Sequence, residues 1–316
     1  MELQLKIISL VAYTFLFIFT IFKLKKQIVN LFGPTMESLL RRASSTPIRG
    51  TILGTIASFL LQSSTATTVL AITLVSDNIL PLTNSYAIII GANIGTTLST
   101  QVLAIGATIL GPALLCIGFL LQFYRRTRPF SKALFYIGLL LMIIELISHN
   151  ARYFADIESV RSLVLLGNNV WIGTLVGFVL AALLQSSSIV TFLVIIFVGS
   201  NLMGVDQSLG LLIGANVGTA ITAIIASLTL SHNAQRAAIA HFVFNALGLV
   251  ITLPIIGFWK WTLPYLGATP VQQIINWNIL FNVTCAVLAV TFFNYFVRLV
   301  QFVDRKIPRV KIDENL

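Results

Sequence analysis

Two polar runs, Gln62-Ser63-Ser64-Thr65 and Gln185-Ser186-Ser187-Ser188, interrupt apolar stretches of this sequence. Each supplies an amide and three hydroxyls, which donate and accept hydrogen bonds without carrying charge. A helix beginning at such a run presents N–H groups with no intrahelical partner, together with the positive end of its dipole. Ser63, Ser64 and Thr65 add donors to one such start, and Ser186, Ser187 and Ser188 to the other. Two starts facing each other would hold an anion. An isolated Ser-Ser pair in an apolar helix has a plainer use, bonding its own backbone. Duplication at a helix start sets these two apart.

A glycine phrase stands 29 residues after each glutamine: Gly91-Ala92-Asn93-Ile94-Gly95-Thr96-Thr97 and Gly214-Ala215-Asn216-Val217-Gly218-Thr219. Its glycines permit an unwound helix. Carbonyls freed there, with Asn93, Thr96, Asn216 and Thr219, would be hard oxygen ligands for Na+. The other use of the same glycines is close helix packing. Neither the runs nor the phrases contain Lys, Arg, Asp or Glu. An anion held there has its charge offset by co-bound cations, which couples the two binding events. Asp77 and Glu145 are acidic candidates for that coupling, with an interfacial role as the alternative. A third pattern, His241-Phe242-Val243-Phe244-Asn245 and Asn278-Ile279-Leu280-Phe281-Asn282, places Asn245 and Asn282 inside spans, where amides bond across helices, with a direct ligand role as the alternative. His241 is read as a packing residue near the cytoplasmic end of its span, with proton carriage as the alternative.

The elements that must position these residues occur twice. An offset of 123 aligns the two runs, the two phrases, Gly50 with Gly173, Thr51 with Thr174, Gly54 with Gly177, Leu61 with Leu184, Thr68 with Thr191 and Asn78 with Asn201, without a gap. That is an internal duplication, and a duplication decides architecture. Apolar residues make up 57% and charged residues 9%, against about 25% charged in soluble domains. Several apolar stretches reach the ~20 residues a spanning helix needs. The chain therefore reads as an all-α polytopic membrane protein, and its net charge of +10 as basic residues flanking spans rather than as a nucleic-acid surface. Cys116 and Cys285 give no disulfide framework. The segment 3–22 is read as a retained span rather than a signal peptide.

Repeat 1 covers 1–125: a span at 3–22, an arm at 32–45, the interrupted run 48–76, and an apolar stretch 86–122 divided into a broken helix and a full span. Repeat 2 covers 126–258: a span at 131–149, a polar arm at 151–166, the interrupted run 170–200, a broken helix at 207–230 and a span at 236–257. A final span at 276–300 and a charged tail complete 259–316. If the interrupted runs are re-entrant hairpins, each repeat crosses three times and the second copy is inverted. The cytoplasmic side then receives 16 of the 20 basic residues, leaving Lys6, Arg152, Arg161 and Lys260 outside. Crossing runs lower that share, so the positive-inside bias favours hairpins, with the N-terminus outside and the C-terminus cytoplasmic.

Paired Gln-Ser-Ser runs, each followed by a Gly-Ala-Asn-x-Gly-Thr phrase and later by a His-x-x-Phe-Asn span, resemble the type II sodium/phosphate cotransporter family, bacterial branch. The likeness extends from the first span to about residue 300. It implies sodium-coupled transport of inorganic phosphate across the plasma (inner) membrane, with no cofactor beyond Na+ as coupling ion. It also implies a homodimer and an elevator-like movement of the hairpin-bearing part. By the resemblance, phosphate contacts come from Ser63, Ser64, Thr65, Asn93, Ser186, Ser187, Ser188 and Asn216. Sodium contacts come from Gln62, Thr96, Thr97, Gln185 and Thr219. The sequence departs from the pattern at Thr65 in the first tip and at Ala220 after Thr219, which opens the number of sodium sites. Many bacterial relatives carry a soluble helical regulatory domain after the last span, and the sequence to Leu316 does not include one. Bacterial members are also connected with phosphate export, so direction stays open.

Competing readings are a carrier of another oxyanion or a dicarboxylate, an intramembrane serine hydrolase, and a non-transporting scaffold. The hydrolase needs a base within hydrogen-bond reach of a serine, yet His149, His232 and His241 all fall near predicted span ends.

Overall fold

The computed structural model describes residues 2–41, 46–105, 107–125, 127–152 and 169–306. In chain order the helices are α1 (Glu2–Arg41), α2 (Pro47–Leu61), α3 (Ser64–Ser76), α4 (Leu82–Ile105), α5 (Ala107–Leu121) and α6 (Arg128–Arg152). They continue with α7 (Val170–Leu184), α8 (Ser187–Gly199), α9 (Val205–Ser227), α10 (His232–Thr252), α11 (Ile256–Thr262), α12 (Pro270–Thr291) and α13 (Phe293–Lys306). No strand occurs among the described residues. Five helical stretches are long and apolar enough to cross a membrane: Gln4–Leu40, Arg128–Ile147, Val205–Ser227, His232–Tyr265 and Pro270–Thr291.

Both interrupted runs break where the sequence places the break. At the end of α2, Gln62 takes the left-handed conformation (φ 51°, ψ 31°), and at the end of α7 so does Gln185 (φ 54°, ψ 31°). A glycine or asparagine normally fills that position, because a Cβ there costs about 1–2 kcal/mol. The next residue is extended in both copies and caps the following helix. The Ser63 hydroxyl accepts from the Ala66 N–H, 3.1 Å, and the Ser186 hydroxyl from the Ile189 N–H, 3.4 Å. With 13 residues each, α3 and α8 reach about 20 Å, short of a ~30 Å hydrocarbon core. The copies end alike too, at left-handed Asn78 (φ 57°) and Asn201 (φ 58°).

The glycine phrases do not unwind. Gly91–Thr97 lies inside the continuous helix α4, and Gly214–Thr219 inside α9. Both helices are continuous where broken ones are expected, because the glycines serve contact instead. A Cβ at Gly91 would overlap the Thr51 carbonyl oxygen on α2, and one at Gly214 would overlap the Thr174 carbonyl on α7. Backbone thus lies against backbone between α2 and α4, and equally between α7 and α9. This is the small-residue packing of membrane helices. It leaves the carbonyls of both phrases within their own helices.

Three further expectations change. The span at 3–22 and the arm at 32–45 are one helix, α1, running unbroken through Pro34 to Arg41, and 42–45 fall outside the described residues. The stretch 86–122 divides into α4 and a 15-residue α5, about 22 Å long and so shorter than the full crossing expected. The final span at 276–300 closes at Thr291, and α13 follows as a separate amphipathic helix that buries Phe296, Val300 and Asp304. Of the polar arm at 151–166, residues 153–166 lie outside the described residues.

Helix α1 joins the two copies. Its stripe Phe17, Ile21, Leu24 and Ile28 is buried with Leu140 and Ile144 of α6 and Phe192 and Ile196 of α8. Further along, Met36 and Leu40 pack with Ala57 and Leu61 of α2 and Leu74 of α3. Both interrupted runs are thereby held against one long helix. On the other side, α9, α10, α12 and α13 share a core containing Leu212, Phe244, Trp277 and Phe296.

Candidate functional site

The two helix starts meet. Ser64, at the beginning of α3, and Ser187 and Ser188, at the beginning of α8, line one small cavity with Asn93, Thr96, Thr97 and Thr100 of α4. Thr191 of α8, Asn216 of α9 and Asn278 of α12 complete it. Every lining residue is polar and uncharged. The cavity offers the centre of a water-sized sphere about 10 Å³, room for about one water. A four-oxygen anion needs more, so admitting one requires the starts to separate.

The donors split into occupied and available. On α4, the Asn93 Nδ2 donates to the Ile89 carbonyl, 3.1 Å, and the Thr100 hydroxyl to the Thr96 carbonyl, 2.9 Å. Thr97 donates to the Ile94 carbonyl, 2.8 Å, and Thr96 bonds the Ser58 hydroxyl, 2.7 Å. In contrast, the hydroxyls of Ser64, Ser187 and Ser188 bond no other described protein group. The Asn216 Nδ2 is fully buried with no partner, on a residue only 7% exposed. A buried donor left unmade costs about 1–3 kcal/mol. Three free hydroxyls, one free amide and two helix N-termini converge on one point without a fixed charge, which is the chemistry of an anion site.

The remaining expected residues lie around this cavity rather than in it. Gln62 lines a neighbouring cavity of about 20 Å³ with Lys25, Ser99, Thr100 and Ser188. Ser63, Thr65 and Gln185 line an open cavity on another side. Ser186 is 2% exposed and caps α8. Thr219 is buried and returns its hydroxyl to the Ala215 carbonyl, 2.8 Å, on its own helix. Asn245 and Asn282 bond one turn back, to the His241 and Asn278 carbonyls at 3.0 and 2.9 Å, instead of across helices. Asp77 and Glu145 are exposed and away from the cavity.

Sequence reading missed Thr100, Thr191 and Asn278 as lining residues, and above all Lys25. The Lys25 ammonium donates to the Ser186 hydroxyl oxygen at 2.6 Å, so a fixed positive side chain does stand beside the second start. The signal was helical register. Phe17, Ile21, Leu24 and Ile28 repeat at four, three and four residues. Continuing that stripe turns Lys25 inward while Lys23 and Lys26 stay exposed. Taking the lysine cluster as the flank of a span concealed this.

A family described as Na+/Pi-cotransporter matches residues 16–149 and again 148–256. YqeW of Bacillus subtilis (strain 168) is 29% identical over 301 residues, 94% of this chain and 98% of its own length. YjbB of Escherichia coli (strain K12), whose name proposes inorganic phosphate export, is 24% identical over 287 residues, 90% of this chain. The chain spans only about half of YjbB, 53%. A shorter likeness, 34% over 89 residues, links 27% of the chain to 13% of the human sodium-dependent phosphate transport protein 2B. No solved structure matches the chain.

Proposed function

Because this chain belongs to the Na+/Pi-cotransporter family, a family of transporters and not of enzymes, we propose that it carries inorganic phosphate across the plasma (inner) membrane with Na+ as coupling ion. The observation that carries this reading is the shared polar cavity, in which Ser64 of one copy and Ser187, Ser188 and Asn216 of the other present unused donors. The names of the relatives, phosphate export for YjbB and sodium-dependent phosphate transport for protein 2B, agree on the anion, and only the first states a direction.

In this reading the interrupted runs are re-entrant hairpins of two inverted repeats, 1–125 and 126–258, and 259–316 follows them. The N-terminus lies outside and the C-terminus in the cytoplasm. Phosphate sits between the hairpin tips, held by Ser64, Ser187, Ser188 and Asn216, with Ser63, Thr65, Ser186 and Asn93 shaping the starts. Sodium draws on side-chain oxygens such as Thr96 and Thr97 and on the last carbonyls of α2 and α7, next to Gln62 and Gln185. Those carbonyls have no onward helical partner, unlike the carbonyls of the continuous glycine phrases. Thr219 donates its hydroxyl proton into its own helix as Thr97 does, which leaves its oxygen lone pairs to join them. The cavity admits an anion only when the tips part, which is the local form of alternating access. A homodimer with the hairpin-bearing part moving against a static one completes the family-like scheme.

The test is counterflow of ³²P-phosphate in proteoliposomes, with Na+ or K+ and in both directions. Exchange stimulated by Na+ and competed by arsenate more than by sulfate or succinate is expected. Exchange indifferent to Na+ would remove the coupling, and preference for succinate would replace phosphate by a dicarboxylate.

A further inference from the structure

Three cavities stand in series beside the second helix start. The outermost is open, with a volume of about 780 Å³, and its lining includes Lys25, Ser63, Thr65 and Gln185. The second, about 20 Å³, is lined in part by Lys25, Gln62, Thr100 and Ser188. The innermost is the polar cavity already described, which shares Thr100 and Ser188 with the second. Lys25 alone belongs to both of the outer two. Anything moving from the open cavity to the helix starts by this route passes its ammonium.

Among the described residues that ammonium has no counter-ion. The described ion pairs join Arg236 and His232 to Asp304, and Lys260 to Asp206, and none involves Lys25. Glu37 lines the same open cavity but lies twelve residues on in α1, roughly 18 Å along the axis at 1.5 Å per residue. A lysine drawn off the surface without a carboxylate is costly, and an anion beside it relieves that cost.

The hydrogen bond it makes adds a second role. A serine oxygen has two acceptor lone pairs and one O–H donor. Ser186 accepts from the Lys25 ammonium at 2.6 Å and from the Ile189 N–H at 3.4 Å. Both lone pairs are then in use, and its proton is left to donate. Ser63, the matching residue of the first copy, accepts from Ala66 alone among the described residues. The position matching Lys25 at an offset of 123 is Ser148. The charge is therefore present on one side only, and the duplication does not account for it.

We propose that Lys25 is a specificity-determining residue of this site. It stands at the neck between the open cavity and the helix starts, favours anions for passage inward, and holds the Ser186 hydroxyl as a donor. This rests on reading the inner cavity as the phosphate site. A charge at a neck raises the capture rate of an opposite ion and makes that rate fall with ionic strength.

The experiment uses full-length protein in liposomes and ³²P-phosphate uptake below saturation. Lys25→Met is expected to lower the initial rate by about tenfold or more and to flatten its dependence on ionic strength, whereas Lys25→Arg retains that dependence. In a Cys116→Ser background, Lys25→Cys is expected to be slow, to recover with an aminoethyl thiosulfonate that restores an ammonium, and not to recover with a neutral methyl reagent. Wild-type rate and salt dependence in Lys25→Met overturn the proposal, as does equal rescue by the neutral reagent. If Lys25→Met fails to fold, Lys25→Arg decides alone, and loss of salt dependence there also overturns it. Wild-type protein that carries no phosphate refutes the anion site itself, together with any role for the lysine in it. Wild-type transport beside an unaffected Lys25→Met refutes the lysine alone.

Discussion

Asn93 and Asn216 are equivalent in the duplicated sequence, yet their amides are used differently. Asn93 gives its Nδ2 to its own helix at the Ile89 carbonyl, whereas the Asn216 Nδ2 is buried without a partner. A polar group held this way is a stability cost kept for another purpose. Asn216→Leu, which keeps the branching at Cγ with bulkier apolar ends, is therefore expected to stabilise the protein by about 1–3 kcal/mol in the absence of phosphate. The same variant should lose most of the rise in melting temperature that phosphate gives the wild type in detergent. Asn93→Leu should show no such gain, since it removes a satisfied bond. A melting temperature of Asn216→Leu below that of the wild type without phosphate would contradict this. The Ser64, Ser187 and Ser188 hydroxyls were legible in the sequence, because polar residues at a duplicated helix start have few other uses. Lys25 was not, because side-chain direction depends on whether α1 continues past residue 22, which the composition of 3–45 leaves open.

At the level of elements, the glycines of the two phrases decide how near the interrupted helices lie to α4 and α9. Gly91→Ala sets a methyl group against the Thr51 carbonyl and Gly214→Ala sets one against Thr174, while a Cβ at Gly257 meets nothing within 4 Å. Backbone cannot yield as a flexible side chain does, so each of the first two is expected to cost about 3 kcal/mol. Both should lower the unfolding temperature in detergent by several degrees, with Gly257→Ala as an unaffected control. Equal melting of all three would remove the packing account. The left-handed glutamines behave in the opposite sense. Gln62→Gly and Gln185→Gly relieve a conformation costing about 1–2 kcal/mol, and should hold or raise stability while slowing transport, as expected for strain kept at a functional turn. Lower stability in both glycine variants would contradict it. The interruption at both tips was readable from sequence, since apolar halves meet at a polar knot. The fate of the glycine phrases was not, because unwinding and close packing ask for the same residue and only the facing helix, α2 or α7, decides between them.

Over the whole molecule, one duplication supplies two helix starts, and α1 holds both interrupted runs through Phe17, Ile21 and Leu24 at one end and Met36 and Leu40 at the other. The offset of 123 made the pairing of elements legible. The contribution of α12, through Asn278 at the cavity wall, was hidden because that helix belongs to neither copy. Helix α13 was hidden for another reason. Its apolar positions Phe296 and Val300 continue the hydropathy of α12, and the separation shows only in Asp304, which Arg236 of α10 binds at 2.9 Å. In the proposed scheme both tips hold a single anion. Equilibrium binding of ³²P-phosphate in Na+ to the wild type, Ser64→Ala and Ser187→Ala tests it most directly. One phosphate per chain is predicted, weakened about tenfold in either variant as each removes a hydrogen bond to the same charged ion. Two phosphates per chain, or a variant that leaves binding at wild-type strength, would contradict it.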